Sequence, residues 1–262
     1  MERIEPMALE PIIKGKIGKN CQIGEGVIIG ENVEIGDNNI IEPYAVITGY
    51  TKIGDNNHIY SHAVVGSDPQ DLKFRGEESW LIIGNNNKIR EFTLLNPGTE
   101  HGGGVTKIGD DNLLMGYVHI AHDVKIGNHC VLANGATLAG HVELGDYVVI
   151  GGLTPIHQFV KIGSYAMVAG ASAVSQDIPP YMLAEGNRAK IRGLNLVGLR
   201  RHLPNRQDID LLKKAYKELF LSGRPIKEVA QELANSSNPH LKKLGEFILN
   251  SKRGIPFERK EG

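Results

Sequence analysis

The sequence predicts a mainly β chain, a parallel β-helix of six-residue repeats followed by a C-terminal α-helical domain. Three observations predict it. Aliphatic residues recur at every sixth position over most of the chain, the next residue is often glycine, and beyond Val174 the apolar spacing becomes helical. The first register runs Ile17, Ile23, Ile29, Ile35, Ile41, Ile47, Ile53, Ile59, Val65, and a second covers Ile83, Ile89, Leu95. A third extends from Ile108 through Leu114, Ile120, Ile126 and Leu132 to Val174. A repeat this short and this persistent marks stacked coils.

Six residues are too few for a helical module, since one amphipathic helix needs about 10 or more. They suit a short strand followed by a corner. The repeating aliphatic points inward and stacks on its equivalent in the next coil. Two positions before it lies a second small or apolar site, such as Val27, Val33, Ala45, Ala63 or Ala136, which strand alternation turns to the same side. Glycine, Asn and Asp after the aliphatic, as in Asp37-Asn38-Asn39, supply turn conformations that β-branched residues resist. Three such units make a triangular coil of about 18 residues, with about 4.8 Å between coils. This excludes α-helix over residues 17–174.

The ladder also shows where the chain leaves it. Between Val65 and Ile83 the in-phase residues are Asp71 and Glu77, which cannot line an apolar core unpaired. Residues 67–80 are therefore expected to be a loop thrown outward. Between Leu95 and Ile108 the register slips by one residue, and Pro97-Gly98 and Gly102-Gly103-Gly104 mark a second loop near 97–107. Extrusions from a regular scaffold are where function tends to sit. Pro179-Pro180 follows the last hexad, and the remaining apolar positions (Ile209, Leu212, Leu219, Val229, Leu233, Leu244, Ile248) fall at helical spacing. The expected division is residues 1–187 for the β-helix and 188–262 for the helical domain, which covers an otherwise open strand edge.

A formal net charge of −1 gives no global reason to expect nucleic acid. The two cysteines, Cys21 and Cys130, lie in the hexads without metal-type spacing and read as core residues of a reducing compartment. No apolar run reaches membrane length, and residues 1–16 lack the apolar stretch of a signal peptide. The expectation is a cytoplasmic protein without membrane insertion.

Ten histidines are present, and their phase is informative. His119 and His122 flank Ile120. His141 lies 19 residues after His122, and His157 lies 16 after His141. Both steps approximate one coil, so His122, His141 and His157 are expected near one edge, beside Asp123 and Gln158. Two chemistries fit such an edge: a neutral imidazole acting as general base, or three imidazoles holding zinc with a fourth position for water. Spacing alone does not decide between them.

Ordered motifs carry a further signal. Asn112-Leu113-Leu114-Met115, His119-Ile120-Ala121-His122-Asp123 and Leu132-Ala133-Asn134-Gly135-Ala136-Thr137-Leu138-Ala139-Gly140-His141 occur in sequence. Gly151-Gly152-Leu153-Thr154-Pro155-Ile156-His157-Gln158-Phe159, Pro69-Gln70-Asp71-Leu72-Lys73 and Glu185-Gly186-Asn187-Arg188 accompany them. Over nearly its whole length the chain resembles the UDP-N-acetylglucosamine acyltransferases that begin lipid A, and hence lipopolysaccharide, biosynthesis. The resemblance implies a left-handed parallel β-helix, assembled as a homotrimer with sites between subunits, and no cofactor or metal. It implies transfer of a (3R)-3-hydroxyacyl group from acyl carrier protein to the glucosamine 3-position of UDP-N-acetylglucosamine. Some relatives act on a 3-amino sugar, giving an amide.

Residue by residue, His122 matches the family's general base, Asp123 the group proposed to orient it, and the Gly140 N–H the oxyanion donor. As strand neighbours, His122 and Asp123 are expected to point apart, so contact between them requires a corner. Gln70, Asp71 and Lys73 match residues holding the sugar and phosphates, and His119 and His141 further sugar contacts. His157 and Gln158 match contacts to the nucleotide end, and Asn195 and Arg201 groups near the uridine and phosphates. Gly170 matches a position limiting acyl depth, with Met167 and Arg188 beside that path. Arg200 and Arg201 form a basic patch suited to an acidic carrier protein. Val197 and His202 depart from some relatives, which have an acidic residue and arginine there.

Other readings on the same fold fit less well. A later acyltransferase of the pathway carries an extra uridine-binding domain, for which a ladder starting at Ile17 leaves no room. A zinc hydratase resembling γ-type carbonic anhydrases has different histidine spacing and lacks the Gly140-His141 and His157-Gln158 motifs. A purely structural or cargo-binding solenoid needs neither the histidine edge nor the Lys73 loop.

Overall fold

The computed structural model describes residues 9–257. Of the N-terminal stretch 1–16 read above for a signal peptide, residues 1–8 lie outside the described residues. The chain divides into two compact units, Met1–Val124 and Lys125–Gly262.

In the first unit, two- to four-residue strands form three parallel faces. The first face stacks Ile12–Ile13, Ile28–Ile29, Val46–Ile47, Val64–Val65, Leu94–Leu95 and His119–Ile120. The second stacks Lys16–Ile17, Val33–Ile35, Tyr50–Ile53, Trp80–Ile83 and Val105–Ile108. The third stacks Gln22–Ile23, Ile40–Ile41, His58–Ile59, Lys88–Ile89 and Leu113–Leu114. Registers are aliphatic on aliphatic, as in Ile29↔Ile47 and Ile89↔Leu114. From Ile29 onward the ladder residues are buried, whereas Ile17 and Ile23 in the end coil are only half-buried.

On the third face this second inward position is polar. Asn39, Asn57, Asn87 and Asn112 stand where other coils carry the second small residue, and all four are buried. The side-chain carbonyls of Asn39, Asn57 and Asn87 take the next coil's backbone N–H: Asn57 N to Asn39 at 2.8 Å, Asn87 N to Asn57 at 2.9 Å and Asn112 N to Asn87 at 2.9 Å. The Asn57 amide also donates to Gly84 O at 3.0 Å. These asparagines are thus a hydrogen-bonded column rather than turn formers, and the polar atoms are satisfied in the dry interior. The turns use their neighbours Asn38, Asn56, Asn86 and Asp111, all at φ near +58°.

In the second unit Lys125–Ile126, Glu143–Leu144 and Lys161–Ile162 stack on one face, and Thr137–Leu138 pairs with Pro155–Ile156 on another. Val131–Leu132, Val149–Ile150 and Met167–Val168 continue to Met182–Glu185, which pairs antiparallel with Lys190–Leu194. The boundary expected after residue 187 falls in the turn of that last hairpin. Four helices follow: α1 (Leu196–His202), α2 (Arg206–Phe220), α3 (Ile226–Ala234) and α4 (Pro239–Asn250). Asn195, Asn205 and Asn238 cap α1, α2 and α4 with side-chain oxygens. The apolar stripe Ile209, Leu212, Val229, Leu244 and Ile248 is buried among them. Tyr181, fully buried, bonds His240 of α4 at 3.1 Å, and Lys243 of α4 donates to Ser164 of the coils at 2.8 Å. The fold is a left-handed parallel β-helix with C-terminal helices.

Residues 66–79 and 96–104 lie outside the strands, and each stretch ends sooner than the sequence suggested. Trp80–Ile83 and Val105–Ile108 are strands from their first residues, because Trp80 and Leu81 pair with Tyr50 and Thr51 on one side and Val105 and Thr106 on the other. Residues 17–174 contain no α-helix, and their one helical turn among the described residues is the 3-10 turn Glu100–Gly102 in the second extrusion. Cys130 is buried, and that burial pushes its thiol up to about 12. Cys21, in the end coil, is only half-buried.

Candidate active site

Strand order shows which corner is interrupted. In the first unit the extrusions 66–79 and 96–104 both leave after a first-face strand and return into a second-face strand. Residues 121–124 follow the next first-face strand, His119–Ile120, so three successive coils use the same corner. In the second unit the equivalent corners, 139–142 and 157–160, carry Gly140-His141 and His157-Gln158.

The centre of the first unit's corner is a histidine–carboxylate pair. Asp123 sits at φ +61°, so the chain turns sharply between the two residues. Their side chains therefore meet rather than diverge: His122 Nδ1 lies 2.8 Å from Asp123 Oδ2. A carboxylate only accepts, so Nδ1 carries the proton and Nε2 holds the lone pair. Asp123 is 3% exposed. Its hydrogen bond pushes the His122 pKa up, against the opposing effect of burial, and the charges of Asp123 and Asp71 act in the same upward direction. His119 behaves oppositely: burial lowers its pKa, against the opposing effect of the hydrogen bond its Nδ1 makes with Leu94 O at 3.2 Å.

The extrusions surround this pair. Thr99, in the second, gives Asp123 two hydrogen bonds, N–H to Oδ1 at 2.9 Å and hydroxyl to Oδ2 at 2.7 Å. Asp123 in turn donates its N–H to Thr106 Oγ1 at 2.7 Å. Gly102 packs so closely that an added Cβ would lie 1.9 Å from the Asp123 carboxyl carbon. The first extrusion is anchored by Asn96, whose amide donates to Ser67 O at 3.0 Å and Asp68 O at 3.1 Å. Its tip exposes Gln70, Leu72 and Lys73, and Asp71 Oδ1 accepts the Lys73 N–H at 3.0 Å in a local turn. Thr99, Gly102 and Thr106 are residues of the candidate site that sequence reasoning missed. The Thr-x-x-Gly spacing was a usable turn signal, but nothing in it pointed to Asp123.

In the second unit Gly140 is buried, and its carbonyl accepts the Phe159 N–H at 3.1 Å. Among the described residues its own N–H makes no hydrogen bond. His141, at φ +63°, stacks on Phe159 with ring centroids 4.4 Å apart. The ring on the coil after His141 is thus Phe159 and not His157, because the coil period is 18 residues and His157 falls two short. His157 is exposed beside Gln158, whose carbonyl lies 3.1 Å from its Nδ1. Gly170 and Arg188 are exposed, and Met167 is half-buried.

Asn195 is 6% exposed and fully engaged, accepting from Gly198 N at 3.1 Å and donating to Tyr165 O at 2.9 Å. It fixes the first turn of α1, which carries Arg200 and Arg201 at the surface. These arginines line a cavity of about 730 Å³ with Arg206, Asp210 and Lys213. His202 lies at the same cavity, and its pKa is lowered by burial and by the Arg201 charge. Arg206 and Lys213 extend the basic patch read from sequence.

The family described as UDP-N-acetylglucosamine O-acyltransferase, domain 2, matches residues 177–256, and bacterial transferase hexapeptide repeats match 14–49, 32–67 and 106–140. An acyl-[acyl-carrier-protein]–UDP-N-acetylglucosamine O-acyltransferase of Nautilia profundicola is 73% identical over 258 residues, 98% of this chain and 100% of the relative. The enzyme of that name from Helicobacter pylori is 50% identical over 215 residues, 81% of this chain and 79% of the relative. The solved UDP-N-acetylglucosamine acyltransferase of Campylobacter jejuni superposes with a TM-score of 0.91 at 48% identity, covering 97% of this chain and 99% of that one. Repeats and full-length similarity agree: this chain belongs to the acyl-[acyl-carrier-protein]–UDP-N-acetylglucosamine O-acyltransferase family.

Proposed function

We propose that this enzyme transfers a (3R)-3-hydroxyacyl group from acyl carrier protein to the glucosamine 3-hydroxyl of UDP-N-acetylglucosamine, the first step of lipid A biosynthesis. The observation that carries the mechanism is the His122–Asp123 contact of 2.8 Å. Held as an Nδ1–H tautomer, the imidazole offers Nε2 to the acceptor hydroxyl. His122 takes the hydroxyl proton as the sugar oxygen attacks the thioester carbonyl carbon. The resulting oxyanion is assigned to the Gly140 N–H, a buried glycine donor with no partner among the described residues. Collapse breaks the C–S bond, the acyl ester remains on the sugar, and the imidazolium returns its proton to the carrier's thiolate.

Substrate roles follow the same reading. Lys73, with Gln70 and Asp71, holds the sugar and its phosphates from the first extrusion, and His119 and His141 contact the sugar. His157 and Gln158 serve the nucleotide end with Arg201, while Asn195 acts there by setting α1. Gly170, Met167 and Arg188 border the acyl path. Arg200 and Arg201 receive the acidic carrier protein. The working form is a cytoplasmic homotrimer with sites between subunits, which needs no cofactor. The test is acyl transfer by purified protein, with carrier-protein thioesters of several chain lengths against 3-hydroxy and 3-amino UDP-sugars. Ester formation on the 3-hydroxy sugar supports the proposal, and exclusive amide formation on the 3-amino sugar overturns the choice of acceptor.

A further inference from the structure

We infer that Thr99 is a positioning residue for the acid–base pair, and that the second extrusion exists at this corner to aim Asp123 at His122. The inference rests on the reading of His122 as general base. A carboxylate that orients a histidine must itself be oriented, and Asp123 is a short side chain at a turn with φ +61°. Thr99 grips both its oxygens, through N–H on Oδ1 at 2.9 Å and hydroxyl on Oδ2 at 2.7 Å.

The direction of the hydroxyl bond is set locally. Thr99 Oγ1 accepts the Gly102 N–H at 3.2 Å, as the cap of the 3-10 turn Glu100–Gly102. The Asp123 carboxylate offers no proton while ionised, so the Thr99 proton goes to it. Thr99 is 2% exposed, so water does not compete for this bond. The turn that supplies Gly102 is itself fixed: Gly102 N and Gly104 N donate to Thr99 O at 3.0 and 2.8 Å, and Trp80 N donates to Gly104 O at 2.8 Å. Rotation of the carboxylate about its own axis is thereby blocked from the loop side. On the other side Thr106 holds the Asp123 backbone N–H.

Oδ2 is shared between the Thr99 hydroxyl and His122. This sharing yields a signature that a merely structural threonine lacks. Without the hydroxyl, Oδ2 directs more of its charge at the imidazolium, which becomes harder to deprotonate. Other charged or titratable groups acting on His122, among them Asp71 and His119, are left in place. The acidic limb of the rate profile should then move to higher pH. Asp123→Asn should move it to lower pH, since the carboxylate that stabilises imidazolium is gone.

The experiment compares wild type, Thr99→Val, Thr99→Ser, Asp123→Asn and His122→Ala in steady-state acyl transfer from 3-hydroxyacyl carrier protein across pH, with thermal unfolding alongside. Thr99→Val should lower kcat by roughly 10-fold or more, leave KM for both substrates within about 3-fold, and shift the acidic limb upward. Thr99→Ser, which keeps both bonds, should restore kcat and the profile. Near-normal kcat in Thr99→Val overturns the inference while a strong loss in His122→Ala keeps the base reading. An unshifted acidic limb, or equal losses in the Val and Ser variants, also overturns it. If Thr99→Val does not fold, Thr99→Ser decides: the inference requires its kcat and acidic limb to stay near wild type. Near-normal turnover in His122→Ala overturns the base reading itself.

Discussion

At the scale of single residues, one hydrogen bond couples the chemistry to pH. The His122 pKa is raised in the folded protein because Asp123 accepts from its ring. That pairing stabilises the fold fully below about 6.5, the free histidine value, and the contribution is lost as pH rises through the higher folded value. Under the proposed mechanism catalysis has the reverse dependence, because a general base must be neutral. Activity should rise with pH above 6.5, through the range where this stabilising contribution fades, and a rate profile measured beside thermal unfolding checks both signs. Asp123→Asn should cost about 10²-fold or more in kcat, since the imidazole is then free to adopt the wrong tautomer. The pair was half legible in the sequence. Both residues were identified, but strand alternation put them on opposite sides, and only a positive φ at Asp123, a backbone state that Asp tolerates better than most residues, brings them together.

At the scale of elements, the coils supply stiffness and the extrusions supply positioning. The buried asparagine column ties successive coils through side chains, so Asn57→Ala would leave Asn87 N–H and Gly84 O without their partners. Two buried unsatisfied groups cost about 2–6 kcal/mol, to be read in chemical unfolding of the variant against wild type. In the second extrusion, Gly102→Ala drives a Cβ into the Asp123 carboxyl, and the loop must back away. A displacement of about 1 Å at a catalytic group costs on the order of 10²-fold, so kcat should fall far more than stability does. The extrusions themselves were legible, because Asp71 and Glu77 occupy ladder positions that a core cannot hold. Their common corner was not, because the hexad period is silent about where an insertion of irregular length returns. Thr99 was hidden for the same reason: it lies 24 residues from Asp123, a distance no coil period produces. His157 lies two residues out of phase with His141, because 16 residues fall short of one coil, and the in-phase ring is Phe159.

At the scale of the whole molecule, the hexad ladder and the helical tail were legible from period alone, and the chemistry was legible only through ordered motifs at the corners. No helix among the described residues is long and apolar enough to cross a membrane. The proposed homotrimer predicts a mass three times that of the 28.6 kDa chain in light scattering, and a monomer with full activity would contradict sites between subunits. The central claim is that His122 is the base for acyl transfer to a UDP-amino sugar. It is tested most directly by single-turnover transfer from 3-hydroxyacyl carrier protein to UDP-N-acetylglucosamine, comparing wild type with a folded His122→Ala variant. The account predicts ester product with wild type and a rate lower by roughly 10²–10⁴ in the variant. Equal rates for the two proteins, or no transfer by wild type, would contradict it.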